Sequence, residues 1–206
     1  MPVIGVTGGI ASGKSTVAQG LVTALQSNTP GEVQLFSADQ CAHQFLAEDV
    51  VVQEEIRLDF GDGVFDANGV VDRAELRKLI FADETRRSAL EAVLHPRIRK
   101  TWLQLAENYR RPANYFVAEI PLLYETECSP YFDCIVVVEA DAQIQLERLS
   151  SKRGWSLETA RRVIDAQMPA EEKRQRADIL ILNHHTKELL HRQIELAARA
   201  LLTRYA

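Results

Sequence analysis

Residues 8–15 read Gly-Gly-Ile-Ala-Ser-Gly-Lys-Ser, a complete match to the pattern G-x-x-x-x-G-K-[ST]. No other stretch restricts the fold so tightly, because this pattern works only where a strand ends and a helix begins. Its surroundings comply. Val3-Ile4-Gly5-Val6 is a short apolar run of the kind that forms a buried parallel strand. From Lys14 onward the period changes, and Val17, Leu21 and Leu25 recur every four residues along one helical face. The glycines let backbone N–H groups curl around an anion with no Cβ in the way. The helix that follows turns its positive end toward the same point. Lys14 is placed to bridge the terminal phosphates of a nucleotide, and the Ser15 hydroxyl to ligate Mg2+.

A second strand is expected at Val33–Phe36, after the break at Asn28-Thr29-Pro30-Gly31. Strand, helix and strand in that order favour a right-handed parallel unit. From about Val50 to Arg111 helical patterns take over. Asp72 with Glu75 resembles a capping box opening a helix over Arg73–Phe81. Leu90, Leu94, Ile98 and Trp102 form an apolar stripe, and Pro96 within it predicts a kink or a helix–helix corner at Leu94-His95-Pro96. Strand patterns return at Tyr115–Glu119, Cys134–Val138 and Asp178–Leu182. A terminal helix, capped near Thr186, presents Leu190, Ile194, Ala198 and Leu201 to the sheet. The expected fold class is therefore α/β, a three-layer P-loop fold around a five-stranded parallel sheet. One domain is expected, with its nucleotide core at about 1–48, 112–140 and 177–206 and a helical insertion at about 49–111.

Charge singles out one more region. The chain carries 24 Lys and Arg against 29 Asp and Glu, a net −5, yet Arg148–Arg176 holds eight basic residues and four acidic ones. Helices opened by Asp141 and Ser156, and separated at Lys152–Trp155, would form a lid at about 141–176 that closes over a bound triphosphate. The acidic balance of the whole argues against a nucleic-acid partner. The longest aliphatic runs, such as Ile135–Val138 and Ile179–Leu182, are too short to span a bilayer. Met1-Pro2-Val3-Ile4 has no charged leader, and Cys41, Cys128 and Cys134 lack paired spacing, so a cytoplasmic protein with free thiols is expected. His184, His185 and His191 lack the order of a zinc site. A monomer or a weak homo-oligomer is expected.

A phosphate loop specifies a nucleotide but not a reaction. A kinase for a small molecule and a nucleotide-dependent switch both use one. The switch would need D-x-x-G after a strand and an N-K-x-D for guanine. Asp66-Ala67-Asn68-Gly69 fits the first pattern, but lies in the helical insertion, where it reads as a turn, and no N-K-x-D occurs. The kinase reading is the stronger, with a kinase for a nucleotide or nucleoside and a non-catalytic nucleotide-gated binding protein as alternatives.

The acceptor comes from the motifs taken together. Thr7–Ser15, Ala38-Asp39 and Leu94-His95-Pro96 resemble, in order, the dephospho-CoA kinase family. So do Ile120-Pro121-Leu122-Leu123-Tyr124-Glu125 and Ala166-Gln167-Met168-Pro169 leading to Ala177-Asp178. The resemblance implies transfer of the ATP γ-phosphate to the ribose 3′-hydroxyl of dephospho-CoA, the last step of coenzyme A synthesis, with Mg2+, and makes the helical insertion at about 49–111 the CoA-binding part. It implies that Gly8, Gly9, Ala11, Ser12, Gly13, Lys14, Ser15 and Thr16 hold ATP together with Arg148, Arg153 and Asn183. Asp39 would be the base, Asp39, Phe60, His95 and Leu123 would meet the acceptor, and Ser15 and Glu119 would hold the metal. Ser37 and Glu119 stand where the family usually has Asp.

The residues alone leave several of these roles open. Asp39 after a strand serves equally as a helix N-cap. Glu119 can pair with Lys14 or an arginine instead of a metal. Phe60, with Phe65 and Phe81, can fill a helical core instead of lining a pantetheine groove. His95 beside Pro96 can be a structural hydrogen-bonder, and Asn183 can cap a turn.

Overall fold

The computed structural model describes residues 1–205, which form five strands, nine α-helices and two short 3-10 turns at Asp62–Val64 and Ser129–Tyr131. In chain order these are β1 (Val3–Gly8), α1 (Lys14–Gln26), β2 (Val33–Ser37), α2 (Ala38–Glu48), α3 (Val50–Phe60), α4 (Arg73–Ala82) and α5 (Glu84–Asn108). They continue as β3 (Tyr115–Glu119), β4 (Cys134–Glu139), α6 (Ala142–Arg153), α7 (Leu157–Asp165), α8 (Ala170–Gln175), β5 (Ile179–Leu182) and α9 (Lys187–Arg204). Two compact units divide the chain. One comprises Met1–Ser37 with the described residues from Ala106 onward, and the other Ala38–Leu105. The helical unit thus opens at Ala38 and takes α2 with it.

In the first unit all strands are parallel, in the order β2-β3-β1-β4-β5. β1 lies at the centre and is buried along its whole length, which is why its sequence does not alternate. Gly5 keeps that strand close to its neighbours, because a Cβ there would stand 2.7 Å from Leu123 Cδ1. On one sheet face, α1 buries Val17, Ala18, Leu21 and Leu25 completely, together with Leu190, Ile194, Ala198 and Leu201 of α9. Each of the valine, leucine and isoleucine side chains contributes about 1.5–3 kcal/mol on leaving water. The expected caps are present. Thr186 accepts from Leu189 N–H and Ser156 from Thr159 N–H. Asp141 stands at the start of α6 but its side chain makes no cap bond there. The outer strand β5 is closed by a side chain: Gln193 accepts from the Leu182 N–H and donates to the Leu182 carbonyl, both at 2.9 Å.

In the helical unit, Asp72 caps α4 through the N–H groups of Ala74 and Glu75, but the box does not close, since the Asp72 N–H donates to the Val64 carbonyl at 2.7 Å and Glu75 pairs with Lys78. The Asp66–Gly69 stretch is a turn: the Asp66 carboxylate accepts from Asn68 and Val70 N–H at 2.9 Å, and Phe65 bridges to Val71. Pro96 brings a correction. No helix–helix corner forms at Leu94-His95-Pro96, and α5 runs on through it to Asn108. A proline removes one N–H and crowds the preceding turn. The Arg97 guanidinium donates to the Val93 carbonyl at 2.7 Å on the same turn. The segment at 141–176 also holds one helix more than expected, the short α8.

Candidate active site

The loop between β1 and α1 wraps around its own lysine. Lys14 is buried, and its ammonium donates to the carbonyls of Gly9 at 2.9 Å and Gly8 at 3.2 Å. Two positions in the loop have left-handed backbone, Gly13 at φ 95° and Ala11 at φ 57°. At Gly13 only glycine fits, since a Cβ would lie 2.2 Å from Asn183 Nδ2. That amide donates to the Ser12 carbonyl at 2.7 Å. Arg148 supports the same turn, donating to the Ala11 carbonyl at 3.0 Å and the Asn183 carbonyl at 3.1 Å. The loop crest is gripped at Ile10, whose N–H donates to Gln167 Oε1 and whose carbonyl accepts from Gln145 Nε2, both at 2.7 Å. Ile10 and Ala11 also pack against Leu146, Leu149 and Ala160 of α6 and α7.

At the mouth of the loop Ser15 donates to Glu119 Oε1 at 2.6 Å. Glu119 is nearly sealed from solvent and ends β3, in register with Val6 of β1 on one side and Ser37 of β2 on the other. A hydroxyl and a carboxylate side by side are hard oxygen donors of the kind Mg2+ takes, with phosphate oxygens and water completing its shell. They therefore fit the metal that such a loop uses. Among the described residues no group of three or more His, Cys, Asp or Glu gathers for a metal.

Residues 2–188 match the dephospho-CoA kinase family. The chain belongs to that family. Dephospho-CoA kinases of Symbiobacterium thermophilum and Geobacillus kaustophilus are 40% and 38% identical over 97% and 93% of this chain, covering 81% and 92% of their own. A crystal structure from Thermus thermophilus superposes with a TM-score of 0.73 at 33% identity, over 100% of this chain and 98% of its own. A shikimate kinase from Bacteroides thetaiotaomicron shares the fold, with a TM-score of 0.54 at 14% identity over 98% of each chain. Dephospho-CoA kinases phosphorylate dephospho-CoA with ATP to make coenzyme A, and this chain is such an enzyme.

Within the kinase, Gly8, Gly9, Ala11, Ser12, Gly13, Lys14, Ser15 and Thr16 form one continuous loop and first helical turn, with Arg148 and Asn183 at its flank. Arg153 is exposed at the end of α6 and stacks over Trp155, its guanidinium carbon 5.3 Å from the ring centre. Leu123, expected to meet the acceptor, is fully buried, with its Cδ1 beside Gly5 of β1. Phe60 is likewise 8% exposed and belongs to the interior of the helical unit. His95 is half-buried on α5, and burial holds its imidazole below the ordinary histidine range, with Glu91 opposing and Arg99 assisting. Asp39 is exposed in the first turn of α2.

Sequence reasoning missed the residues that anchor the segment at 141–176. Gln145 and Gln167 are two. Glu125 is a third, accepting from Met168 N–H at 3.1 Å and lying 2.8 Å from the ammonium of Lys173, which is 2% exposed. That pair meets as charges, off the line of a directed hydrogen bond. Arg174 grips both carboxylate oxygens of Glu139, and the Tyr124 hydroxyl donates to the Arg176 carbonyl at 2.8 Å. The Tyr124 hydroxyl is pushed up to about 12, chiefly by burial and then by Asp178, so it stays a donor at all working pH values. Only Glu125 and Gln167 carried a signal, as members of the family motifs.

Proposed function

We propose that the chain holds ATP on the loop at residues 8–16 and uses Asp39 to activate the ribose 3′-hydroxyl of dephospho-CoA. The 3′-oxygen attacks the γ-phosphorus, and its bond to the β,γ-bridging oxygen breaks. ADP leaves with that electron pair, and the 3′-hydroxyl proton passes to the Asp39 carboxylate. Backbone N–H groups of residues 8–13 orient the phosphates, and Lys14 places one fixed cation among their oxygens. Ser15 and Glu119 would hold Mg2+, which when bound offsets phosphate charge. The segment at 141–176 acts as a lid that excludes water, with Arg153 free to reach the triphosphate on closure.

The observation that carries this reading is the loop around Lys14 with the Ser15–Glu119 pair at its mouth. The deciding test incubates the protein with ATP, Mg2+ and a panel of dephospho-CoA, nucleosides and nucleotides. ADP should appear only with dephospho-CoA, and mass spectrometry with 31P NMR should place the new phosphate on the 3′-oxygen. ADP release with a nucleoside instead would assign a different acceptor.

A further inference from the structure

In the helical unit, α2 carries Asp39 and, one turn further, His43. On α4, Arg73 and Arg77 are likewise one turn apart, and both are exposed. The two helices meet here, with the Arg73 guanidinium donating to His43 Nε2. Burial and the field of Arg73 hold the His43 imidazole below the ordinary histidine range, with Asp39 opposing and Arg77 adding to the same field. Other arginines of this unit are neutralised: Arg57 by Asp62, Arg86 by Asp83, Arg87 by Glu84 and Glu91, and Arg97 by Glu55. Among the described residues no carboxylate pairs with Arg73 or Arg77. Two guanidinium groups gathered without an anion, with a neutral imidazole between them and a carboxylate, form a place prepared for an anion.

We infer that Arg73 and Arg77, with His43, bind the diphosphate of dephospho-CoA and thereby deliver its ribose to Asp39. The inference rests on the reading of Asp39 as the base. Residues one turn apart on α2 are separated by about 6 Å along the helix axis, which suits the reach from a ribose 3′-oxygen across the sugar to its 5′-phosphate. A nucleotide whose 3′-hydroxyl meets Asp39 therefore carries its diphosphate toward His43 and the two arginines. Planar guanidinium groups accept phosphate oxygens in pairs, so the diphosphate is fixed in orientation as well as in place. Acceptors that lack it lose this anchor, which makes the arginine pair a determinant of specificity.

The test measures equilibrium binding of dephospho-CoA and of adenosine, without ATP, and then KM values for dephospho-CoA and ATP. The variants are Arg73→Ala, Arg77→Ala and Arg77→Lys, with Lys78→Ala as a control for charge on the same helix. Circular dichroism confirms the fold of each. Dephospho-CoA should bind about 10- to 100-fold more weakly to each arginine-to-alanine variant, with matching rises in its KM and no change for ATP or adenosine. Arg77→Lys should recover part of the loss, and Lys78→Ala should bind as wild type. Unchanged dephospho-CoA binding in both alanine variants overturns the inference, as does an equal loss of adenosine binding or an equal effect of Lys78→Ala. Should Asp39→Asn keep wild-type turnover while the arginine variants lose dephospho-CoA binding, the proposed catalytic role of Asp39 falls and the binding site stands.

Discussion

Replacing Gly13 by alanine tests whether the phosphate loop and Asn183 form one unit. The backbone at Gly13 has φ 95°, where an L-residue costs about 1–2 kcal/mol. The new Cβ would also lie 2.2 Å from Asn183 Nδ2. A free side-chain end would step aside, but this one is buried and donates to the Ser12 carbonyl at 2.7 Å. Forcing it away leaves a polar group unsatisfied, at about 1–3 kcal/mol. The sum is about 2–5 kcal/mol, or a fall in Tm of about 5–15 °C for a chain of this size. Urea unfolding of Gly13→Ala, Asn183→Ala and the double variant separates the two terms. Removing Asn183 also removes the clash, so Gly13→Ala should cost only the backbone share in that background. Strictly additive effects, or a cost below about 1 kcal/mol for Gly13→Ala alone, would refute the reasoning.

Other expectations follow from the same geometry. Lys14→Ala removes the cation set among the phosphates and should lower turnover by about two orders of magnitude or more; steady-state kinetics with a native-like circular dichroism spectrum checks it. Asp39→Asn should cut kcat by about 10²–10⁴ with ATP affinity unchanged, whereas an Asp39 that only starts a helix would tolerate Asn. Glu125→Gln leaves the buried Lys173 ammonium without its counter-charge and should destabilise by about 3–5 kcal/mol in urea unfolding. Trypsin should cut within 148–176 more slowly when a non-hydrolysable ATP analogue and dephospho-CoA are both bound, and faster in Gln167→Ala, which gives up its hold on Ile10; equal rates in every case would remove the lid.

What could be read from the chain alone was whatever one local pattern determines. The glycines and lysine of residues 8–15 dictate a strand–loop–helix, and Asp72, Ser156 and Thr186 each announce a helix start by their own side-chain chemistry. Other features needed more than one local pattern. Pro96 locally argues for a kink or a corner, yet α5 runs on from Glu84 to Asn108. Leu123 sits in a family motif, and the fold buries it beside Gly5, more than a hundred residues earlier. In the basic segment Arg148 and Arg153 are expected on ATP, and the other arginines are left without a role. In the fold they divide, Arg148 holding the loop's carbonyls, Arg174 bound to Glu139, and Arg153 exposed. Ionic partners across long sequence gaps leave no spacing to detect.

The amide of Gln193 also decides where the sheet stops. A carboxamide offers one donor and one acceptor at nearly the geometry of a peptide unit, so at Leu182 it occupies the berth that a sixth strand would take. Open strand edges are where passing chains attach and aggregates begin. In a short strand such as Ile179–Leu182, a single glutamine covers a sizeable share of that exposed margin. The enzyme therefore limits recruitment of foreign β-structure with a helix residue, and does so without a proline or a charge in the strand itself.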